Sequence, residues 1–291
     1  MNTTSYIVAG PTASGKSEFA HRLARAIGGV IVNCDSVQIY RDIENISASP
    51  FAARPITDAI DGVPYKLFSI LDLGHQISVA DYLNRARDEY AAARRDGRPV
   101  IFVGGTGFYI DAIVRGISPM PDVPDDVRAR ARDMVQTDVT AARRLLGTNA
   151  PTDPQRMARA IEVLLATNRP IAEWQRMPRV GAIDPTPRRI LINPPRDVLL
   201  DRIAARIPQM ISGGALDEAR AILSHNWNEN RAIGAVELCR YLRGEIDRDT
   251  AIKNWTVRTN QYAKRQRTWF RTQFHADTEI ASGDMDVRSI L

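Results

Sequence analysis

Lysine is nearly absent: of 39 basic residues only four are lysine, Lys16, Lys66, Lys253 and Lys264. Codon bias accounts for the bulk ratio, but the resulting surface is rich in planar guanidinium groups suited to bidentate phosphate contacts. Cysteine is equally scarce. Cys34 and Cys239 are too few for a disulfide framework and read as buried small hydrophobes in a reducing cytosol, so a cytoplasmic location is expected. The four histidines, His21, His75, His225 and His275, form no cluster, and no zinc-ligand spacing occurs. No apolar run approaches the roughly 18–20 residues needed to span a bilayer. The first apolar strand begins at Tyr6, and on that placement no signal peptide is expected. The net charge of +5 is modest, so basicity by itself points to nucleic acid only weakly. A chain of 291 residues fits two domains, or one domain with an insertion.

What the sequence does contain is Gly10-Pro11-Thr12-Ala13-Ser14-Gly15-Lys16-Ser17, in the pattern G-x-x-x-x-G-K-S. The apolar run Tyr6–Ala9 before it predicts a buried strand. After it, Phe19, Leu23 and Ile27 recur every four residues, and Gly28 is placed to end a helix. Strand, glycine loop and helix together make a phosphate cradle. Glycine permits close backbone approach, the loop amides and helix N-terminus favour an anion, Lys16 adds charge, and Ser17 can ligate Mg²⁺.

Two further strand ends are informative. Residues 29–34 predict a strand ending at Asp35-Ser36-Val37-Gln38, and in such a fold the end of a strand beside the first faces the phosphates. Residues 99–103 are the most apolar strand and end in Gly104-Gly105-Thr106-Gly107. A phosphate-loop NTPase usually ends that strand in an aspartate that holds Mg²⁺ and orders water. Either Asp35 supplies that acid, as in some small-molecule kinases, or no water is activated and Asp35 with Thr106 addresses a second substrate. Between these strands, 41–64 reads as loop and Tyr65–Leu71 as a short strand. Ser78-Val79-Ala80-Asp81 fits a capping box opening a helix that Gly97 stops.

A proline-rich hinge at 118–124 opens a stretch read as helical to about residue 177, before the strand 188–193 returns to the sheet. The expected class is therefore α/β: a phosphate-loop core with a parallel sheet over 1–118 and 188–275, an all-helical insertion over 119–187, and a tail over 276–291. The last helix, about 252–274, places Trp255, Arg258, Tyr262, Arg265 and Trp269 on one stripe and Lys253, Lys264, Arg267 and Arg271 on the other side. It carries no acidic residue. Spacing alone allows either a core-packing stripe with a solvated basic face or a surface that tracks a nucleic-acid backbone.

Taken together, the chain resembles the tRNA dimethylallyltransferases, also called tRNA isopentenyltransferases. The resemblance rests on the phosphate loop, Asp35-Ser36-Val37-Gln38-Ile39-Tyr40, Val103-Gly104-Gly105-Thr106-Gly107-Phe108-Tyr109, Asp153-Pro154-Gln155-Arg156 with Arg159-Ala160-Ile161-Glu162, and Gln261-Tyr262-Ala263-Lys264-Arg265-Gln266 with Trp269-Phe270-Arg271. It implies transfer of the dimethylallyl group from dimethylallyl diphosphate to N6 of the adenosine 3′ of the anticodon in tRNA. The partners implied are the anticodon stem-loop and dimethylallyl diphosphate, with Mg²⁺ as cofactor; no membrane partner and a monomeric state are the expectation. Carried across, Asp35 is the base or acceptor for the amine and Thr106 its partner. Gly10 to Ser17 hold the diphosphate, with Ser17 on the metal. Asp35, Ser36, Val37, Gln38, Thr106, Arg128, Gln155, Arg156, Met157, Ala158 and Arg159 contact tRNA. A leaving diphosphate also fits the absent strand-end aspartate. The sequence departs from the family pattern at Asn45–Pro50, near Tyr65-Lys66 and at Gly234–Glu237, which bears on fine tRNA contacts. The competing readings are a small-molecule or nucleotide kinase with a helical lid, and an RNA-binding protein that uses the loop as an ATP switch.

Overall fold

The computed structural model describes residues 4–52, 54–225 and 227–290. Positions 1–3, 53, 226 and 291 of the sequence-based ranges lie outside them. The chain divides into two units, Met1–Val114 with Ile183–Leu291, and Arg115–Ala182. The break points fall within a few residues of the proline-rich segments at either end of the helical stretch.

In the first unit the chain runs β1 (Tyr6–Ala9), α1 (Lys16–Ile27), β2 (Val30–Asn33), β3 (Ala59–Ile60), β4 (Val63–Lys66), α2 (Val79–Arg95), β5 (Val100–Gly104) and α3 (Gly107–Arg115). The second unit holds α4 (Asp125–Thr137), α5 (Val139–Leu146), α6 (Pro154–Thr167) and α7 (Ile171–Gln175). The first unit then resumes with β6 (Arg188–Ile192), α8 (Arg196–Met210), α9 (Leu216–Ser224), α10 (Ala235–Leu242), α11 (Arg248–Trp269) and β7 (Thr278–Ile280). No helix among the described residues is long and apolar enough to cross a membrane.

The seven strands form one sheet in the order β3-β4-β2-β5-β1-β6-β7, parallel except for the β3–β4 pair. β1, β2 and β5 are buried at every residue, as expected of parallel strands covered on both faces. α1 packs Phe19, Ala20, Leu23 and Ala24 onto this sheet. Full burial of Phe19 and Leu23 contributes about 1.5–3 kcal/mol each. Gly28 ends α1 at φ 65°, a left-handed position that a glycine occupies without strain. The Ser78–Asp81 capping box opens α2 as the sequence predicts. β1 is central, and its neighbours β5 and β6 are reached from opposite sides in chain order. The carboxyl ends of β1, β2 and β5 therefore share the crevice where such sheets bind ligands.

Three elements differ from the sequence reading. The strand expected over Tyr65–Leu71 is instead Val63–Lys66, because Leu67 and Ser69 take positive φ and break the extended run. The segment 276–291 is not a tail. β7 pairs in parallel with β6 from Ile190↔Thr278 to Ile192↔Ile280, and Val287 and Ile290 join the sheet's core. In the last helix the buried line is Ala251, Trp255, Thr259, Ala263, Gln266, Phe270 and Phe274, while Arg265 is exposed. Small residues let the helix pack closely, so the large side chains between them are displaced toward the crevice or solvent.

The second unit has its own core of Ala131, Val135, Ala142, Met157, Ala158 and Ile161. Asp138 caps α5 through the Thr140 and Ala141 amides at 2.9 Å. Asp153 caps α6 through the Arg156 amide at 2.8 Å, with Pro154 in the first turn.

Candidate active site

The phosphate loop closes on itself by a bond from the Ser14 amide to the Pro11 carbonyl at 3.2 Å. Ala13 and Gly15 sit at φ 62° and 90°, the left-handed positions from which a loop builds an anion-binding nest. The loop carbonyls are engaged from outside. Arg202 donates to the carbonyl oxygens of Ser14 at 3.2 Å and Ala13 at 3.5 Å. One turn later on the same face of α8, Arg206 donates to Thr12 Oγ1 at 2.7 Å. Lys16 reaches the Pro11 carbonyl at 3.4 Å.

The charges here are half-buried in the wall of the crevice and under-compensated. Burial pulls the Lys16 ammonium down to about 8, Asp35 working in the opposite direction. Burial also lowers the Arg206 guanidinium from its usual value, again opposed by Asp35, and its Nε makes no hydrogen bond. A partly desolvated lysine and arginine beside an anion nest are an incomplete electrostatic arrangement. A bound polyanion completes it.

Asp35 lies just past β2. Its backbone is held by Asn33, whose Oδ1 accepts from the Asp35 amide at 2.8 Å and whose Nδ2 donates to the Asp35 carbonyl at 2.9 Å. Its carboxylate accepts from the Val37 amide at 2.9 Å through Oδ1. Thr106 is brought to the same place by the β2–β5 pairing: its amide donates to the Cys34 carbonyl at 3.2 Å, and its Oγ1 accepts from the Ser36 amide at 3.0 Å. The register requires Gly104, since a Cβ there would lie 2.2 Å from the Cys34 carbonyl oxygen. Tyr262, from α11, faces the same region; burial and then Asp35 push its phenol above its ordinary range.

Thr12–Ser17, Asp35–Gln38, Arg206 and Tyr262 line one cavity of about 990 Å³, with an apolar wall of Ile207, Met210, Ile233 and Trp255, and Thr106 sits behind Ser36 at its edge. The structure thus brings together six residues of the phosphate loop with Asp35, Ser36, Val37 and Gln38 in one cavity. Gly10 and Pro11 are buried at the loop's base, and Thr106 lies on the Ser36 amide. Ser17 and Asp35 supply oxygen donors to the cavity, and no group of three metal-ligating His, Cys, Asp or Glu side chains exists among the described residues. That donor set suits Mg²⁺ held by one or two protein oxygens and substrate phosphate, rather than an all-protein cage.

The remaining sequence-derived positions lie in the second unit. Gln155 and Arg156 are exposed on α6, and Arg159 pairs with Glu162 at 3.0 Å. Arg128 pairs with Asp125 at 3.5 Å. Met157 and Ala158 are core residues of that unit, so their side chains are not available as tRNA contacts. Five consecutive residues of a helix cannot face one way, and these two fall on its inner face.

Three residues that now matter were not singled out from sequence, Arg206, Arg202 and Glu218, while Gln266 entered only as the last residue of the run Gln261–Gln266 that carries the resemblance, with no role of its own. The Arg202/Arg206 spacing of four was a readable signal; Glu218 gave none. The Glu218 carboxylate accepts from the Asn45 amide at 2.7 Å and from Asn45 Nδ2 and the Ile46 amide at 2.8 Å. Gln38 Nε2 donates to the Ser47 and Ala48 carbonyls at 3.1 and 3.0 Å. The divergent stretch Asn45–Pro50 is thereby fixed as a wall of the cavity. At the divergent Gly234–Glu237, the buried Glu237 accepts from the Gly234 amide at 2.9 Å and from Arg258 at 2.7 Å. That contact commits Arg258 to an internal pair. Tyr65 lies in β4, its hydroxyl 3.0 Å from His21 Nδ1.

Comparison with known proteins agrees with this geometry. A family described as IPP transferase matches residues 38–273, and one described as Isopentenyl transferase matches residues 3–57. The tRNA dimethylallyltransferase of Dinoroseobacter shibae is 41% identical over 295 residues, covering 95% of this chain and 94% of that protein. The enzyme of the same name from Sphingopyxis alaskensis is 38% identical over 282 residues, covering 92% and 89%. Among solved structures, the tRNA isopentenylpyrophosphate transferase of Bacillus halodurans has a TM-score of 0.69 at 28% identity, covering 99% of this chain and 93% of that one. A eukaryotic dimethylallyltransferase captured acting on tRNA has a TM-score of 0.71 at 21% identity over 93% of this chain and 70% of its own, a likeness of fold. With the phosphate loop and Asp35 lining one cavity, Thr106 bonded to the Ser36 amide beside them, and matches that span nearly its whole length, this chain belongs to the tRNA dimethylallyltransferase family.

Proposed function

We propose that this protein transfers a dimethylallyl group from dimethylallyl diphosphate to N6 of the adenosine 3′ of the anticodon in tRNA. The observation that carries the reading is the meeting of an under-compensated cationic nest with the Asp35 carboxylate in one cavity, with Thr106 held beside it on the Ser36 amide. The nest suits a departing diphosphate and the carboxylate suits an amine.

In this reaction the C1–O bond of the diphosphate ester breaks, with its electrons leaving on diphosphate. An N6–C1 bond forms, and the amine gives up one proton. Lys16, Arg206 and the loop amides stabilise the negative charge that grows on the leaving oxygen. Asp35 accepts the proton. Ser17 would hold Mg²⁺, which when bound would supply charge neutralisation for the diphosphate. Thr106, fixed by the Ser36 amide, orients the amine edge. The apolar wall at Ile207, Met210, Ile233 and Trp255 suits the five-carbon group. Since the target base must leave its stack to reach Asp35, the exposed basic side chains of α11, Lys253, Lys264 and Arg265, serve to hold the stem-loop. Gln155 and Arg156, exposed on α6, are the tRNA-contacting side chains of the second unit taken by itself.

A kinase reading is disfavoured by the family to which the chain belongs and by the glycine-rich end of β5, which has no acid to order water. The test is incubation with Mg²⁺, unmodified tRNA and either dimethylallyl diphosphate or ATP. Prenylated adenosine together with an equimolar amount of diphosphate, formed only with the former, is expected. Phosphoryl transfer or ATP turnover without prenylation would overturn the proposal.

A further inference from the structure

Gln266 sits on the buried line of α11 and is 6% exposed. Its Oε1 accepts from the Thr12 amide at 2.8 Å, and its Nε2 donates to the Gly105 carbonyl at 3.0 Å. Thr12 belongs to the diphosphate cradle, and Gly105 immediately precedes Thr106. One side-chain amide therefore joins the two halves of the active site, which come from β1 and β5. Thr12 is held again from its other side by Arg206. The fit at Gly105 is close: a Cβ there would lie 2.2 Å from Gln266 Nε2 and 3.2 Å from the Gly10 carbonyl. Glycine at 105 and glutamine at 266 are thus matched to each other.

Both bonds need a group that donates and accepts at once, and the neutral amide is the side chain that does so at any working pH. Group transfer needs the carbon on the leaving diphosphate and the attacking nitrogen at near-contact distance and in line. A displacement of about 1 Å can cost on the order of a hundredfold in rate. The cradle sets the first position and the Thr106 turn sets the second. We infer that Gln266 is a positioning residue that fixes the separation of the diphosphate cradle from the amine-orienting Thr106 turn, acting on the transfer step rather than on binding of either substrate. The inference rests on the reaction proposed above.

The test uses Gln266→Glu and Gln266→Met in the full chain. In Gln266→Glu the ionised carboxylate keeps the acceptor for Thr12 but opposes the Gly105 carbonyl with a second acceptor. In Gln266→Met both bonds are lost at similar volume. Each variant is expected to lower kcat by about ten- to a hundredfold. KM for dimethylallyl diphosphate and for tRNA should move less than about threefold, because uniform binding is untouched. Once protonated, the carboxyl introduced by Gln266→Glu can again donate to Gly105, and burial favours that neutral form. The ratio of Gln266→Glu to wild-type kcat should therefore climb as pH falls, while the Gln266→Met ratio stays flat. Using the wild type as reference at each pH removes the titration of groups that all three proteins share.

Retention of kcat within about twofold in both variants, a loss confined to KM, or parallel pH profiles would overturn the inference. Thermal unfolding of each variant is measured alongside. If Gln266→Glu does not fold, Gly105→Ala displaces the same amide sterically and should show the same kcat-only loss. Amide hydrogen exchange at Thr12 gives a readout that does not depend on the reaction. Exchange there should quicken in Gln266→Met, and unchanged exchange would remove the bridge. A wild-type protein that forms no prenylated adenosine would instead count against the proposed function, and the Thr12 exchange would still decide the bridge.

Discussion

The phosphate loop and the first turns of α6 were both read from sequence as runs of consecutive functional residues, eight in one and five in the other. The structure treats them differently. In the loop, six consecutive residues from Thr12 to Ser17 line the cavity, because an anion nest is built from backbone amides and each of these residues has one. In α6, Gln155 and Arg156 face solvent, Met157 and Ala158 face the core, and Arg159 lies between. A contiguous motif can be wholly functional where the backbone makes contact. On a helix it is divided by the 3.6-residue period into a contacting part and a packing part.

The largest effect expected from this contrast lies at the loop's partner. Asp35→Ala should lower kcat by on the order of 10²–10⁴-fold for a lost general base while tRNA affinity changes little. Single-turnover prenylation and a tRNA binding titration measure the two; unchanged kcat would remove Asp35 from proton transfer. In α6, Met157→Ala should act on stability. A cost of about 2–5 kcal/mol is expected for truncating a fully buried side chain, read by denaturant unfolding of the intact chain. A variant as stable as wild type but weak in tRNA binding would show that Met157 is a contact after all.

The pH dependence of substrate binding is the next effect in size. Burial holds the free Lys16 at about 8, below its unfolded value of 10.5. Because its folded value is depressed, the unliganded native state binds fewer protons than the unfolded state between those values. Lys16 therefore destabilises the free fold below about 8, and this penalty is relieved as pH rises toward 10.5. A bound diphosphate favours the charged ammonium, so binding above about 8 must take up a proton. Affinity for dimethylallyl diphosphate should fall by up to about tenfold per pH unit above that point, and below it, where Lys16 is already charged, Lys16 should add no pH dependence. Calorimetry in buffers of different ionisation heat measures the proton uptake directly, and Lys16→Met should abolish it. The smallest effect is at the helix surface. Arg156→Ala should reduce the salt slope of tRNA binding by less than about one unit, as for one lost phosphate contact, with kcat unchanged. An identical slope would mean that Arg156 is only solvated.

The same contrast explains what the sequence made readable. The phosphate loop, Asp35 and the Gly104–Thr106 turn were legible because each ends a strongly apolar strand in a doubly wound sheet, where topology alone aims strand ends at the ligand. Arg206 and Gln266 lie inside helices: the four-residue spacing from Arg202 and the run Gln261–Gln266 mark them as positions, but nothing local tells that either faces the phosphate loop and not water. The stripe drawn on the last helix followed its large aromatics. The structure buries Ala251, Thr259 and Ala263 beside Trp255, because close helix packing selects small residues. Residues 276–291 carry a strand of three residues, too short for alternation to show, and it exists because β6 offers an open parallel edge. The departures at Asn45–Pro50 and Gly234–Glu237 could be seen as departures but not as compensated ones. Their anchors, Glu218 and Arg258, are distant in sequence.

The central claim is that this loop holds a leaving diphosphate and not a nucleotide to be hydrolysed. The most direct measurement is a competition titration of the loop with dimethylallyl diphosphate and ATP in the presence of Mg²⁺, with nucleotide turnover followed in the same samples. Tighter binding of dimethylallyl diphosphate, its loss in Lys16→Met, and no ATP turnover are the expected result. Tighter binding of ATP accompanied by its hydrolysis would contradict the account.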